Sequence, residues 1–191
     1  MTTETATSAG DPGVRVIRVW DPLVRLIHWS VVAAIILNGF VTDPESELHE
    51  FIGYGVLAVV LLRLTWGMVG TEHARFKAFP PNPAAALRHI QSVLRRQHSV
   101  HLSHNPLGSL MVYNIWATLL AMCATGIMMG TVRFFGVGWV EQAHELAFDW
   151  LMVSVVLHVL GVIFETWLNK VPLVRAMITG NKHLPRGLEI K

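Results

Sequence analysis

A single cysteine, Cys123, stands in the 191-residue chain. That excludes an intrachain disulfide, and with no CxxCH motif it also excludes a covalently tethered haem. Charge is scarce as well: 15% of residues are charged against 52% hydrophobic, and mean hydropathy is +0.46. A soluble domain usually carries about a quarter charged residues, so this chain reads as an all-α integral membrane protein with one compact bundle. The net charge of +2 is small and its basic residues form no soluble face, which argues against nucleic acid as a partner. Residues 1–13 lack both the basic cluster and the apolar core of a signal peptide. Residues 1–17 are expected to form a disordered cytoplasmic tail, residues 18–182 the membrane domain, and residues 183–191 a second cytoplasmic tail.

What the chain has instead is four long apolar runs. Asp21-Pro22 opens the first with an N-cap and a proline at the first helical position, and the run continues to Val41. Asp43-Pro44 precedes the second, Leu48 to Val69; Asn105-Pro106 starts the third, Leu107 to Gly130; the fourth runs from Trp139 to Asn169. Between the second and third, Ala84 to Gln97 mixes Arg88, Arg95 and Arg96 with Leu87, Ile90, Val93 and Leu94. It is too polar to span, and reads as a short amphipathic cytoplasmic helix lying on the membrane surface. Pro172 to Thr179, stopped by Gly180, reads as a short terminal helix.

Orientation follows from the basic residues, because cytoplasmic segments retain Lys and Arg. Of fifteen, only Arg133 falls on the side that holds the loops between spans one and two and between spans three and four. Both termini are therefore expected in the cytoplasm. The opposite face collects Asp43, Glu45, Glu47, Glu50, Glu141, Glu145 and Asp149.

Within the spans the residues that need a reason are histidines. His144 and His158 are fourteen positions apart in the fourth run, which leaves them within ~40° on one helix face and ~21 Å apart along the axis. That is one per leaflet. Counting from the span starts puts His28 in the inner leaflet and His49 in the outer, so the four sort by depth into His49 with His144 and His28 with His158. A lone intramembrane histidine is commonly an interhelical polar contact or a proton relay. Four of them, matched in depth on three spans, point to two stacked bis-histidine haem sites, with the third span serving for packing. Arg63, fourteen residues after His49, and Arg25, one turn before His28, are candidate partners for the inner haem propionates; snorkelling to headgroups is the alternative for Arg63. Gly53 and Gly161 would let a flat macrocycle approach the backbone. His73, His89, His98, His101, His104 and His183 read as solvated cytoplasmic residues, although His104 is near enough to the inner surface to be a reserve ligand.

These residues resemble a known family. Val19-Trp20-Asp21-Pro22-Leu23-Val24-Arg25-Leu26-Ile27-His28-Trp29, Arg63-Leu64-Thr65-Trp66-Gly67-Met68-Val69-Gly70, His104-Asn105-Pro106-Leu107-Gly108 and Arg175-Ala176-Met177-Ile178-Thr179-Gly180 are similar to the bacterial cytochrome b561 family, which includes the b-type cytochrome subunits of nickel-iron hydrogenases. The resemblance covers Val16 to Lys182. It implies a four-helix bundle in the bacterial cytoplasmic (inner) membrane. It also implies two non-covalent b haems on His28, His49, His144 and His158, and exchange of electrons with membrane quinone.

The expected function is electron transfer between quinone or quinol and a periplasmic c-type cytochrome or oxidoreductase subunit. A stand-alone quinone-linked superoxide oxidase is the alternative within the family. A haem-free histidine-relay proton channel or transporter is the alternative outside it, and whether the chain is itself an enzyme stays open.

Overall fold

The structure, a computed structural model, describes residues 14–95 and 101–185. In chain order the elements are strand β1 (Val14–Arg18), helices α1 (Pro22–Phe40) and α2 (Glu47–Val69), two 3₁₀ turns (Glu72–Ala74 and Phe76–Ala78), helices α3 (Pro83–Leu94), α4 (Pro106–Met129), α5 (Gly138–Asn169) and α6 (Leu173–Thr179), and strand β2 (Asn181–Pro185). Four of these, α1, α2, α4 and α5, are long and apolar enough to cross a membrane.

The helix starts are set by short polar side chains. Asp21 accepts from the Val24 N–H, Ser46 from His49, Asn82 from Ala85 and Asn105 from Gly108, each satisfying a donor of the first turn that has no intrahelical partner. In α2 the cap is Ser46 rather than Asp43, whose carboxylate instead closes a turn on the Glu45 N–H. Asp21 also joins two elements: its second oxygen accepts from Trp66 Nε1 at 3.0 Å and Thr71 Oγ1 at 2.7 Å, tying the start of α1 to the end of α2. Burial alone would raise its carboxyl, but the Thr71, Val24 and Trp66 hydrogen bonds prevail and hold it below the ordinary 3.8.

In the bundle α5 packs along α4, α4 on α2, and α2 on α1. Between α5 and the two helices α1 and α2 close backbone approach is sparse. The midplane core is small: Val60, Leu119 and Leu151 are fully buried, with Val31, Ile35, Val56 and Met152 around them. Phe51, Leu146 and Trp167 are each at least 70% exposed, which in lipid costs nothing, since the acyl chains are as apolar as the side chains. At 32 residues α5 is ~48 Å long, more than the ~30 Å hydrocarbon core, so at least one of its ends stands clear of it.

The N-terminal tail needs correction. Residues 14–17, expected to be disordered, pair with residues of the expected C-terminal tail in an antiparallel ladder that runs from Val14 opposite Pro185 to Arg18 opposite Asn181. The Val-Arg-Val-Ile-Arg alternation of residues 14–18 is a strand pattern, but its partner lies at the other end of the chain, so no local signal pairs them. Gly180 makes the junction: its φ is 86°, its carbonyl accepts from the Val19 and Trp20 N–H groups, and a Cβ there would stand 2.6 Å from the Trp20 carbonyl oxygen. Residues 1–13 and 186–191 lie outside the described residues, as do Arg96, Gln97 and His98.

Candidate functional site

The four intramembrane histidines meet in two pairs. His28 of α1 and His158 of α5 have ring centroids 6.5 Å apart; His49 of α2 and His144 of α5 have theirs 6.4 Å apart. A metal–imidazole bond is ~2.0–2.1 Å, and a ring nitrogen lies roughly 1.1 Å from its ring centre, so two imidazoles on opposite sides of one metal have centroids ~6.3 Å apart. Both pairs match that spacing. Among the described residues no three His, Cys, Asp or Glu side chains are grouped so as to hold a metal. An ion held by either pair would therefore take its remaining ligands from a non-protein group such as a porphyrin. The sparse contact of α5 with α1 and α2 is what separates the facing histidines.

Helical repeats layer the two sites. Along α5, Leu151 stands midway between His144 and His158; along α2, Val56 stands midway between His49 and Arg63. Leu151 and Val56 belong to the midplane core, so an apolar layer divides the pairs.

Around His49 and His144 the polar groups are engaged. The His49 N–H donates to Ser46, and its carbonyl accepts from Asn38 Nδ2 at 3.0 Å. Its Nδ1 lies 3.5 Å from the Thr42 hydroxyl, which is in turn 3.3 Å from Asn38 Oδ1. His144 Nδ1 is 2.9 Å from Thr125 Oγ1 of α4. Where a Cβ would stand at Gly53 or at Gly161 no other part of the chain approaches within 4 Å; Gly53 is half-buried and Gly161 exposed.

Around His28 and His158 polar atoms are left over. His28 Nδ1, Arg63 Nη1 and Arg25 Nε are buried without a hydrogen-bond partner. Arg63 is only 4% exposed, its guanidinium 4.9 Å from the Trp116 ring, with Nη2 donating to the Ala74 carbonyl at 3.0 Å. A side chain reaching for headgroups would be exposed, so snorkelling does not describe Arg63. Arg25 donates from Nη1 to the Ile178 carbonyl. Unused buried donors on the buried Arg63 and the half-buried Arg25 are costly to leave so, and a group bearing carboxylates would answer both.

Two residues that the sequence placed in solvent are enclosed. The His104 ring lies 4.9 Å from Trp20 and 4.8 Å from Phe79. Burial first, then the neighbouring cations Lys182 and Arg63, push its imidazole down to about 3, which keeps it neutral. His89 faces Glu165 at 3.3 Å, and Glu165 also accepts from Asn105 and Asn169, each at 2.6 Å. The loop before His104 is held by Lys182, whose ammonium donates to the carbonyls of His101, Leu102 and Ser103 at 2.8–3.0 Å. These contacts join segments about eighty residues apart, and nothing in the local sequence announces them. A weak signal did exist for Glu165, one carboxylate seven residues after His158 in an apolar run.

The family profile for prokaryotic cytochrome b561 matches residues 19–180, the whole of the four-span bundle. The chain belongs to the prokaryotic cytochrome b561 family. It is accordingly a multi-pass membrane b-type cytochrome of electron transport, and haem b is the group its family carries. Relatives support the same placement for this b561-family protein. It is 24% identical to a probable Ni/Fe-hydrogenase B-type cytochrome subunit of Cupriavidus necator, over 93% of this chain and 91% of the relative. Proteins of the same description match from Rhizobium leguminosarum bv. viciae, at 24% identity over 86% of this chain and 87% of theirs, and from Bradyrhizobium diazoefficiens, at 23% over 86% and 85%.

Proposed function

We propose that the protein is a transmembrane di-haem b-type cytochrome that carries electrons between membrane quinone and a redox partner on the periplasmic side of the bacterial cytoplasmic membrane. The observation that carries this is the pair of facing histidines repeated at two levels, 6.4 and 6.5 Å between ring centres, across helices that do not close on one another. His49 and His144 hold the outer haem and His28 and His158 the inner one; Arg63 and Arg25 turn their unused donors to the inner propionates. A bis-histidine haem supplies one-electron chemistry with no open coordination position on iron. The protein's own residues set the spacing, exclude water between the sites through Leu151 and Val60, and provide charge at each end.

Both termini lie in the cytoplasm in this reading, because only Arg133 among the fifteen basic residues falls at the far end. Helix α3 rests on the cytoplasmic surface, with Leu87, Ile90 and Leu94 exposed toward lipid and Arg88 and Arg95 beside them. The acidic outer loops favour a basic protein partner over a small anion, which ranks protein-to-protein transfer above superoxide oxidation. The relatives named as hydrogenase cytochrome subunits point to an oxidoreductase subunit as that partner. A visible spectrum and redox titration of the purified protein test the reading: two haem b components are expected. A protein without haem would be a histidine-relay channel or transporter instead.

A further inference from the structure

The Thr125 hydroxyl lies 2.9 Å from the Ala121 carbonyl and 3.0 Å from that of Met122, one turn back in α4. A threonine in a helix commonly donates its one proton to such a carbonyl. Its oxygen then faces His144 Nδ1 at 2.9 Å with a lone pair to offer, and the bond needs the proton on Nδ1. Thr42 repeats the arrangement: its hydroxyl donates to Asn38 Oδ1 and its oxygen faces His49 Nδ1 at 3.5 Å, while Asn38 holds the His49 carbonyl. An imidazole protonated on Nδ1 has Nε2 free as a ligand, and an acceptor on that N–H raises the ring's basicity. At the inner pair, His28 Nδ1 has no such acceptor.

We infer that Thr125 and Thr42 are positioning residues for the outer haem: they fix the Nδ1–H tautomer of its two ligands and add electron density to its iron, which favours the ferric state and lowers its reduction potential. The inference rests on the haem reading above. The two sites are then chemically unequal through hydrogen bonding as well as through surrounding charge.

The experiment is a spectroscopic redox titration of the purified full-length protein carrying Thr125→Val, which keeps the shape and removes the hydroxyl, beside Thr125→Ser, which restores it. His144→Leu identifies the outer component. The expected result is two haems in Thr125→Val, with the outer midpoint raised, the inner unmoved, and the parental value regained in Thr125→Ser. Thr42→Val should move the same component in the same direction by less, since its contact is longer. Two haems with an unchanged outer midpoint in Thr125→Val overturn the inference and leave the haem reading standing. Loss of the outer haem from Thr125→Val supports the inference when Thr125→Ser keeps that haem at its parental midpoint. Loss from both overturns it, packing then being the whole requirement. Absence of haem from the parent protein fails the underlying reading, a distinct outcome.

Discussion

Arg63 shows how one residue changes meaning between sequence and structure. On sequence it shared a helix face with His49 and could equally have snorkelled; in the fold it is 4% exposed, lies against the Trp116 and Phe79 rings, and keeps Nη1 unused. In the proposed reading a fixed positive charge beside the inner haem would favour its ferrous form. Arg63→Leu should therefore lower the midpoint of the inner component and leave the outer one in place, read by the same titration; an unmoved inner midpoint would return the residue to a packing role. Asp21 gives a second test. Its carboxylate is held below the ordinary 3.8 by Thr71, Val24 and Trp66, so the unfolded chain takes up a proton there before the folded one does. The stabilisation is complete above that value and is lost as pH falls through the lower folded one. Asp21→Ala should cost about 1–2 kcal/mol at neutral pH, as loss of a helix cap does, and should flatten this part of the acid limb in thermal unfolding in detergent. A variant as stable as the parent would mean that Trp66 and Thr71 find other partners. The two facing pairs, His28 with His158 and His49 with His144, were legible because helical period and depth place them one residue at a time. Thr125, His104 and Glu165 were not, because what defines each is a contact across helices that no local spacing encodes.

At the level of elements, the spans could be read from the length of the apolar runs and the caps of α1, α3 and α4 from Asp-Pro and Asn-Pro signals, whereas the cap of α2 falls on Ser46. The β1–β2 ladder could not: five residues of strand pattern at the start of the chain are ambiguous until a partner is known, and β2 carries Pro185 and a buried lysine. That lysine gives the ladder a task. Lys182 is 4% exposed and its three donors meet three consecutive carbonyls, so β2 pins the loop that leads through His104 into α4. Lys182→Met keeps the length and strands three acceptors. A cost of about 2–4 kcal/mol is expected from the loss of charge-assisted hydrogen bonds. Limited proteolysis should then find cleavage within residues 101–104 that the parent resists. Equal resistance would show that the ring contacts of His104 with Trp20 and Phe79 hold the loop without the lysine.

For the molecule as a whole, the proposed function rests on which histidine faces which. The fold joins α4 to α5 and α1 to α2 by direct packing and leaves the histidine-bearing faces of α1 and α2 opposite α5. In the proposed di-haem reading, two redox sites in series across an apolar layer follow from one helix carrying a histidine at each depth. The decisive measurement is haem content and redox titration across His28→Leu, His49→Leu, His144→Leu and His158→Leu. Without a covalent tether, a b haem that loses one axial ligand is lost, so each variant should keep about half the parental haem. His49→Leu and His144→Leu should lack one and the same component, and His28→Leu and His158→Leu the other. A variant that kept both haems would show another residue, such as His104, ligating in place of the one removed; if His28→Leu and His144→Leu were to lose the same component, the pairing would be wrong.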